Sequence, residues 1–211
     1  MRAGRPPATP GRRPAGVSLV DLVGDERERA VPVIRDGFVG IYRWHAKRTL
    51  REVPTVRGAL VGGEVVGVSL LDRLVPEVGY VYYVAVLSGY RRQGVGGALL
   101  DDALDHFRGH GVQVVYAAVQ ADNVASRRVC ERRGFREVER KGVGWREGGL
   151  SAWGLRSRMR LVPGERLLGL RIRERTDRPP SDRSVSPPER CPRGPEQPAA
   201  AGRGSPARRT T

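Results

Sequence analysis

Short segments in which apolar residues alternate with polar ones, or run without interruption, predict the strands of this chain. Two of them flank Gly62-Gly63, a turn that favours a β-hairpin over Arg57–Val61 and Glu64–Leu71. The other predicted strands are Val17–Leu22, Val78–Leu87, Val112–Val119, an extended segment from Phe135 and a last strand within Leu150–Leu161.

Helical periodicity separates these strands. Between Gly94 and Arg108 the apolar residues recur four apart, at Val95, Leu99, Ala103 and Phe107. Two more helices are predicted, one over Asp25–Leu50 with a break near Pro32 and one over Asp122–Arg133 that Gly134 ends. This order of elements predicts a mixed α/β domain built on one central sheet.

The composition divides the chain into three parts. Residues 1–16 and 164–211 are rich in Arg and Pro, and we expect both ends to be largely disordered around a domain at 17–163. Near the start of the C-terminal part, however, stand Leu167, Leu168, Leu170 and Ile172. They indicate either a short segment that docks on the domain or merely the beginning of the tail.

The formal net charge of +15 raises the question of nucleic-acid binding. Of the 38 basic residues 36 are arginine, which is typical of a composition bias. Residues 1–16 carry +4 and residues 164–211 carry +5, which leaves +6 for the domain. We therefore expect an Arg-rich solvated surface with basic ends rather than a nucleic-acid groove. A basic nucleic-acid-associated protein that works through its tails is the third function considered.

Cysteine content and hydropathy argue against disulfide-rich, metal-binding, membrane-spanning and exported proteins. Cys130 and Cys191 are too few for a disulfide framework or a metal site, so no metal is expected. No run of eighteen apolar residues occurs, and no apolar stretch follows Arg12-Arg13. The sequence therefore predicts a cytoplasmic protein without a membrane partner.

One segment, Tyr90–Gly97 (Y-R-R-Q-G-V-G-G), joins a predicted strand to a predicted helix. Its glycines let backbone N–H groups approach an anion, and the helix N-terminus adds a positive dipole. Arg91 and Arg92 add full charges, so the segment suits a pyrophosphate. It lacks the Gly-Lys-Ser/Thr of a nucleotide P-loop and the G-x-G-x-x-G of a dinucleotide fold. Taken alone, it is equally typical of a tight turn into a helix.

A second motif follows about thirty residues later, from Asn123 through Ser126 to Gly134-Phe135. Together the two motifs resemble the GNAT superfamily of acyl-coenzyme A N-acyltransferases. Arg91 to Gly96 is similar to that family's R/Q-x-x-G-x-G/A signature, and the second motif is similar to its N-x-x-A/S…G-F helix. The resemblance covers roughly Val17–Val162. It implies a GNAT-type fold, with a mixed, mostly antiparallel central sheet and helices on both of its faces.

The resemblance implies acetyl-CoA as the co-substrate. Backbone N–H groups of Arg92–Gly97, with the Arg91 and Arg92 side chains, would hold the pyrophosphate, and the backbone of Val84–Val86 would pair with the pantetheine arm. Asn123 would hydrogen-bond the pantetheine; it is equally expected to be a helix N-cap. The implied cofactor-binding residues are Val84, Val86, Arg91, Arg92, Gln93, Gly94, Val95, Gly96, Gly97 and Asn123.

The implied reaction is transfer of an acetyl group to an amine by direct attack in a ternary complex, in which holding the two substrates together supplies much of the rate. The acceptor is left open between a small molecule and a protein amine, and a homodimer is left open too. Phe38, Tyr42 and Trp44 either wall the acceptor site or pack the first helices. The alternative function is a non-catalytic acyl-CoA-binding or sensor domain of the same fold.

The family's acid and base positions are altered in this chain. A glutamate often serves as base near the middle of the strand before the loop; Tyr80 matches that position, and Glu77 lies three residues earlier. The family's thiolate-protonating tyrosine falls at Cys130. These three are the catalytic candidates, against an alternative of core packing for Tyr80 and Cys130. Alternation predicts Tyr80 and Tyr82 on one face of the strand and Tyr83 on the other.

Overall fold

Seven strands and five α-helices make up the part of the chain that the computed structural model describes, residues 14–139 and 152–172. These residues all belong to the first of two units of the chain, Met1–Arg175. The strands are β1 Ser18–Asp21, β2 Thr55–Val61, β3 Glu64–Val75, β4 Val78–Val86, β5 Val114–Gln120, β6 Arg136–Glu137 and β7 Glu165–Arg171. The helices are α1 Val31–Gly37, α2 Gly40–Glu52, α3 Val95–Gly109, α4 Val124–Arg132 and α5 Ala152–Met159, with 3-10 turns at Gly24–Ala30 and Ser88–Tyr90.

The strands form one sheet in the order β1-β2-β3-β4-β5-β7-β6. Every neighbouring pair is antiparallel except β4 and β5, which are parallel. Parallel neighbours need a crossover connection, and α3 supplies it. The predicted fold class, a mixed and mostly antiparallel sheet with helices, is therefore confirmed.

Helices cover both faces of the sheet. On one face α3 packs so closely that a Cβ on Gly67 of β3 would lie 2.9 Å from Leu99, and one on Gly79 of β4 would lie 2.8 Å from Phe107. On the other face α1 and α2 bury their apolar residues against β3 and β4. The glycines therefore place the N-terminal end of α3 close to the end of β4.

The β2–β3 hairpin is confirmed, and its turn shows why two glycines stand there. Gly62 and Gly63 have φ values of +58° and +87°, which only glycine adopts without strain and which match the type of turn that suits twisted strands.

Tyr83 does not lie where alternation predicts it. Leu70 pairs with Tyr83 while Leu71 pairs with Val81, so Tyr82 is an extra residue in β4, a β-bulge. The bulge resets the alternation, and Tyr82 and Tyr83 both pack against the cluster formed with α1 and α2. The predicted division of the tyrosines between two faces is thus wrong.

Two predicted elements differ from the structure. The long first helix is interrupted twice. The 3-10 helix Gly24–Ala30 gives way to α1 beside Pro32, near which a break was predicted, and Pro32 lies in the first turn of α1, where its missing N–H costs no helical hydrogen bond. A second break, which was not predicted, separates α1 from α2 at Phe38-Val39. The last strand is not within Leu150–Leu161, since Ala152–Met159 is helical; it is Glu165–Arg171.

The segment that begins β7 belongs to the domain. β7 pairs with β5 over seven residues and with β6 on its other side, and its Leu167 and Leu168 are buried. The predicted boundary at residue 163 is therefore too early, and the docked alternative for Leu167–Ile172 is the right one. The predicted disorder of residues 1–13 and 173–211 lies outside the described residues.

Ending the chain after Pro163 is expected to prevent folding, whereas ending it after Arg175 is expected to leave the melting temperature unchanged. Loss of β7 removes the partner of two strands and the buried Leu167, Leu168 and Ile172. Each such side chain contributes about 1.5–3 kcal/mol, so the sum is comparable to the stability of a whole domain. Thermal unfolding of the two shortened chains tests this. Equal melting of both would show that β7 is dispensable.

Candidate active site

The central feature of the site is a gap that opens in the sheet. β4 and β5 pair only over Val78–Val81 and Val114–Ala117. Beyond Val81, β4 pairs with β3 alone and β5 with β7 alone among the described strands. The edge of β4 that carries Val84–Val86 therefore faces the opening without a strand partner there, which is where the resemblance expects an extended pantetheine arm.

The predicted pyrophosphate loop lies at the same end of the sheet. β4 ends at Val86, the chain makes the 3-10 turn, and α3 begins after Gly94. Arg92 and Gly94 have φ values of +63° and +86°, so two left-handed residues fold the loop back on itself. The first intrahelical bond runs from the Ala98 N–H to the Gly94 carbonyl (2.9 Å), so the N–H groups of Val95–Gly97 precede the hydrogen-bonded ladder. The loop thus offers backbone donors at a helix N-terminus, the geometry that binds phosphate.

Arg91 is turned toward the protein. Its guanidinium donates to the Val86 carbonyl (3.0 Å) and to the Asp36 carboxylate (3.0 Å). Asp36, at the end of α1, also accepts the Ser88 N–H (2.7 Å). The pair therefore holds the start of the loop against α1, and a contact of the Arg91 side chain with pyrophosphate stays a prediction. The Arg92 and Gln93 side chains are exposed.

Asn123 lies at the carboxyl end of β5, which is the same edge of the sheet because β4 and β5 run parallel. Its Oδ1 accepts the Ser126 N–H (3.0 Å), so it is the N-cap of α4. The cap uses only the oxygen of the amide. The second role predicted for Asn123, a hydrogen bond to pantetheine, is compatible with this geometry and stays a prediction.

The structure does not bring the three catalytic candidates together. Glu77 lies in the β3–β4 turn, at the amino end of β4, roughly 23 Å of strand away from Val84. Tyr80 is only 2% exposed and packs edge-on against Tyr82. Cys130 lies in the core cluster on the α3 side of the sheet. The catalytic roles of all three stay predictions. Tyr80 and Cys130 are buried in hydrophobic clusters, which agrees with the alternative that they are core-packing residues.

Burial also weakens the acidity of Cys130. Removal from water, with a smaller opposing effect of Arg133, raises the pKa of its thiol to about 11. We expect iodoacetamide at pH 7.5 to alkylate Cys130 at least about 100-fold more slowly than Cys191 of the predicted tail, because the thiolate is the reactive form. Mass spectrometry of the native protein over time measures both rates. Similar rates would show an accessible, activated Cys130.

Tyr82 and Tyr83 line the opening on the face opposite α3. The Tyr82 hydroxyl donates to the Arg158 carbonyl (2.6 Å), and Tyr83 packs edge-on against Phe38 with ring centroids 5.1 Å apart. Burial is the main cause that raises the pKa of each phenol to about 12. Both hydroxyls are therefore protonated at neutral pH and act as hydrogen-bond donors.

Several groups around the opening were not predicted from sequence. They are Asp36 at the loop, Gln120 at the end of β5, Glu165 at the start of β7, and the Arg160–Glu52 ion pair with its 2.6 Å contact. A sequence signal existed only for Glu165, which stands two residues before the apolar residues Leu167, Leu168, Leu170 and Ile172.

The described residues form neither a group of metal ligands nor a helix that could span a membrane. Over 14–139 and 152–172, no three His, Cys, Asp or Glu side chains are grouped so as to hold a metal ion. No helix described in the structure is both long and apolar enough to cross a bilayer.

A family model described as acetyltransferase (GNAT) family matches residues 21–135, more than half of the chain. The chain belongs to the GNAT family of acetyltransferases. The matched GNAT region runs from the last residue of β1 to just beyond α4 and includes both motifs and the gap between β4 and β5.

Curated relatives are GNAT enzymes of two kinds. The N-alpha-acetyltransferase RimI of Mycobacterium tuberculosis is 30% identical over 147 residues, which is 66% of this chain and 91% of that protein. A mycothiol acetyltransferase of Corynebacterium glutamicum is 36% identical over 78 residues, 37% of this chain. The chain spans only about a quarter, 27%, of the length of that protein.

Solved structures share the GNAT fold. The ribosomal-protein-S18-alanine N-acetyltransferase of Escherichia coli has a TM-score of 0.56 at 20% identity, covering 74% of this chain and 94% of that one. A GNAT acetyltransferase of Elizabethkingia anophelis, solved with acetyl-CoA bound, has a TM-score of 0.55 at 15% identity, covering 75% and 99%. At such identities the likeness concerns the fold alone.

Proposed function

We propose that the protein is an N-acetyltransferase that moves an acetyl group from acetyl-CoA to an amine by direct attack in a ternary complex. The observation that carries this proposal is the gap beyond Val81, where the unpaired edge of β4 leads directly into the glycine-containing loop at the N-terminus of α3. An extended chain that ends in a pyrophosphate suits these two features together, since one offers strand-type hydrogen bonds and the other offers anion-binding N–H groups.

Backbone groups of this chain would bind the co-substrate, orient it and stabilise the charge that develops on it. The N–H groups of Val95–Gly97 bind phosphate oxygens, and the β4 edge at Val84–Val86 orients the arm and the thioester carbonyl. A backbone N–H aimed at that carbonyl oxygen stabilises the charge that develops on it. Acetyl-CoA supplies the activated acyl group, and the protein supplies position and electrostatics.

For the acceptor we propose the α-amine of a polypeptide. The support is that the similarity to RimI of M. tuberculosis, an N-alpha-acetyltransferase by name, extends over 91% of that protein, whereas the similarity to mycothiol acetyltransferase covers 27%. Tyr83 and Phe38 give the opening apolar walls that suit a side chain.

Acetyl-CoA and a set of short peptides test this proposal. Peptides with free N-termini are compared with the same peptides N-formylated, each also containing one lysine, and CoA release and product mass are measured. We expect turnover only with free N-termini. Acetylation of the lysine side chain alone would overturn the acceptor class and leave N-acetyl transfer in place.

A second candidate function is a non-catalytic acyl-CoA-binding domain. The observation that favours it is that Glu77, Tyr80 and Cys130 lie away from the opening or within the core. Binding of acetyl-CoA, seen as a raised melting temperature, without turnover on any amine would support this candidate over the enzyme.

A further inference from the structure

A carboxylate lies one strand beyond the gap between β4 and β5, on β7. Glu165, the first residue of β7, pairs with Gln120, the last residue of β5. Antiparallel partners point to the same face of a sheet, and residues two apart share a face. Glu165 therefore lies on the face of Leu167, which packs in one cluster with Tyr80, and Tyr82 packs against that cluster. This is the tyrosine-lined face, opposite α3.

The bulge in β4 brings Tyr83 to the same face. Because Tyr82 is the extra residue, Tyr83 also points away from α3, toward Phe38. Two causes raise the pKa of Tyr83 most: burial, which is the larger, and then the negative charge of Glu165. The Glu165 carboxylate and the Tyr83 phenol thus lie on the same face of the sheet, on opposite sides of the gap.

We propose that Glu165 accepts a proton from the ammonium form of the acceptor, an inference that rests on the proposed function. The carboxylate attracts the ammonium ion, takes one proton from its nitrogen and passes that proton to water, which leaves the neutral amine. The amine nitrogen then forms a bond to the thioester carbonyl carbon, the carbon–sulfur bond breaks, and the electron pair leaves on the CoA sulfur. The second proton lost by the nitrogen goes to the CoA thiolate.

Contacts around Glu165 fix its orientation. Its Oε2 accepts the Val162 N–H (2.8 Å) across the turn before β7. A carboxylate has about four acceptor positions, so this bond is compatible with a proton-accepting role. The side chain is thereby held at the start of the strand instead of sampling many rotamers.

Other charged and titratable groups share this face. They are Tyr82 and Tyr83 on β4, Tyr42 and Glu52 on α2, Arg160 after α5, and Asp72 of β3, which pairs with Arg158 of α5 at 3.3 Å. Arg160 donates to Glu52 at 2.6 Å, and Glu52 also accepts from Arg48 at 2.7 Å. Hydrogen bonds from Arg48 and Arg160 lower the pKa of Glu52. Glu52 therefore accepts hydrogen bonds from two arginines, which makes it a poor proton acceptor.

The test compares the full-length protein with Glu165→Gln on two acceptors, a tetrapeptide with an N-terminal alanine and hydroxylamine. Glutamine keeps an oxygen for the Val162 N–H, so the fold is preserved. For the peptide at pH 7 we expect kcat/KM to fall on the order of tenfold, because only about a tenth of an α-amine with a pKa of about 8 is neutral at that pH, and we expect the KM for acetyl-CoA to stay unchanged within about twofold. The loss shrinks to below about twofold at pH 9, because the α-amine is then mostly neutral. Hydroxylamine, already neutral at pH 7, shows that small loss at both pH values.

Glu137→Gln is the matched control. Glu137 is on the neighbouring strand β6, faces the other side of the sheet and pairs with Arg166 at 2.9 Å. It is expected to leave kcat/KM within about twofold for both acceptors. Glu165→Gln with wild-type kinetics, or with equal losses for both acceptors at both pH values, overturns the assignment, since the second pattern is that of a structural role.

Failure of the proposed function gives a different result. If the wild-type protein binds acetyl-CoA and acetylates neither the peptide nor hydroxylamine, the N-acetyltransferase function is wrong and the role of Glu165 falls with it. If the wild-type protein acetylates either acceptor, the comparison with Glu165→Gln decides the role of Glu165 alone.

Discussion

Gly96→Asp is expected to abolish the rise in melting temperature that acetyl-CoA causes. With the ligand at about 100 times its Kd, mass action stabilises the wild type by about 2.7 kcal/mol, or roughly 5–11 °C for a chain of this size. The aspartate puts a negative charge in the first turn of α3, next to the expected pyrophosphate. The same charge suits a helix N-terminus, so the unliganded variant is expected to melt no lower than the wild type by more than about 2 °C.

Gly96→Ala separates the effect of charge from that of bulk. A Cβ at Gly96 would lie 3.6 Å from Cγ2 of Val86, an ordinary contact. The family signature accepts alanine here, and alanine favours a helix over glycine, so both fold and ligand response are expected to persist. Thermal unfolding with and without acetyl-CoA measures all three proteins. A full response of Gly96→Asp would show that the pyrophosphate does not lie at this loop.

Asp102→Ala is expected to lower the free energy of unfolding by about 3 kcal/mol and the melting temperature by roughly 6–12 °C. Asp102 of α3 is 9% exposed and forms two hydrogen bonds, 2.6 and 2.8 Å, with the guanidinium of Arg57 on β2. Its removal leaves a largely buried guanidinium whose remaining acidic partner, among the residues that the structure describes, is the half-exposed Asp21 at 2.7 Å. The Arg57 charge is then poorly compensated, and an uncompensated buried charge is what makes the loss of one partner of a buried ion pair so destabilising.

Two further variants check that explanation. Asp105→Ala removes an exposed carboxylate from the same helix, one that pairs with Arg108 at 2.7 Å, and is expected to cost less than about 0.5 kcal/mol. The double variant Arg57→Met with Asp102→Leu removes both charges and is expected to recover most of the lost stability. Equal losses for Asp102→Ala and Asp105→Ala in denaturant unfolding would show that the buried pair contributes no more than a surface pair.

Features that depend on residues close together in the sequence were predicted correctly from local patterns. The Gly62-Gly63 turn requires positive φ at two adjacent residues, which glycine alone adopts cheaply, and α3 follows from a four-residue apolar period and the loop glycines. The two motifs, with Asn123 opening the second, depend on short spacings as well. The family and its fold were therefore readable from the sequence.

Features that depend on distant pairing were decided only by the tertiary structure. The extra residue at Tyr82 follows from the register against β3, and that register reversed the expected face of Tyr83. The role of Leu167–Ile172 depended on whether β5 offers a free edge, because a strand gains its hydrogen bonds and burial only beside a partner. Glu165 came to the gap by the same pairing, across forty-five residues of chain from Gln120.

The sequence by itself thus determined the class of fold, the hairpin and the loop that opens α3, because each depends on conformational preferences and spacings within a few residues. The family followed from the resemblance of two short motifs to those of GNAT proteins. The tertiary structure decided which side chains meet at the opening. Arg91 pairs with Asp36 of α1, the catalytic candidates Glu77, Tyr80 and Cys130 lie apart, and Glu165 lies on the same face of the sheet as the tyrosines. The physical reason is that strand register and order are set by the joint burial of all the elements, which no local pattern contains.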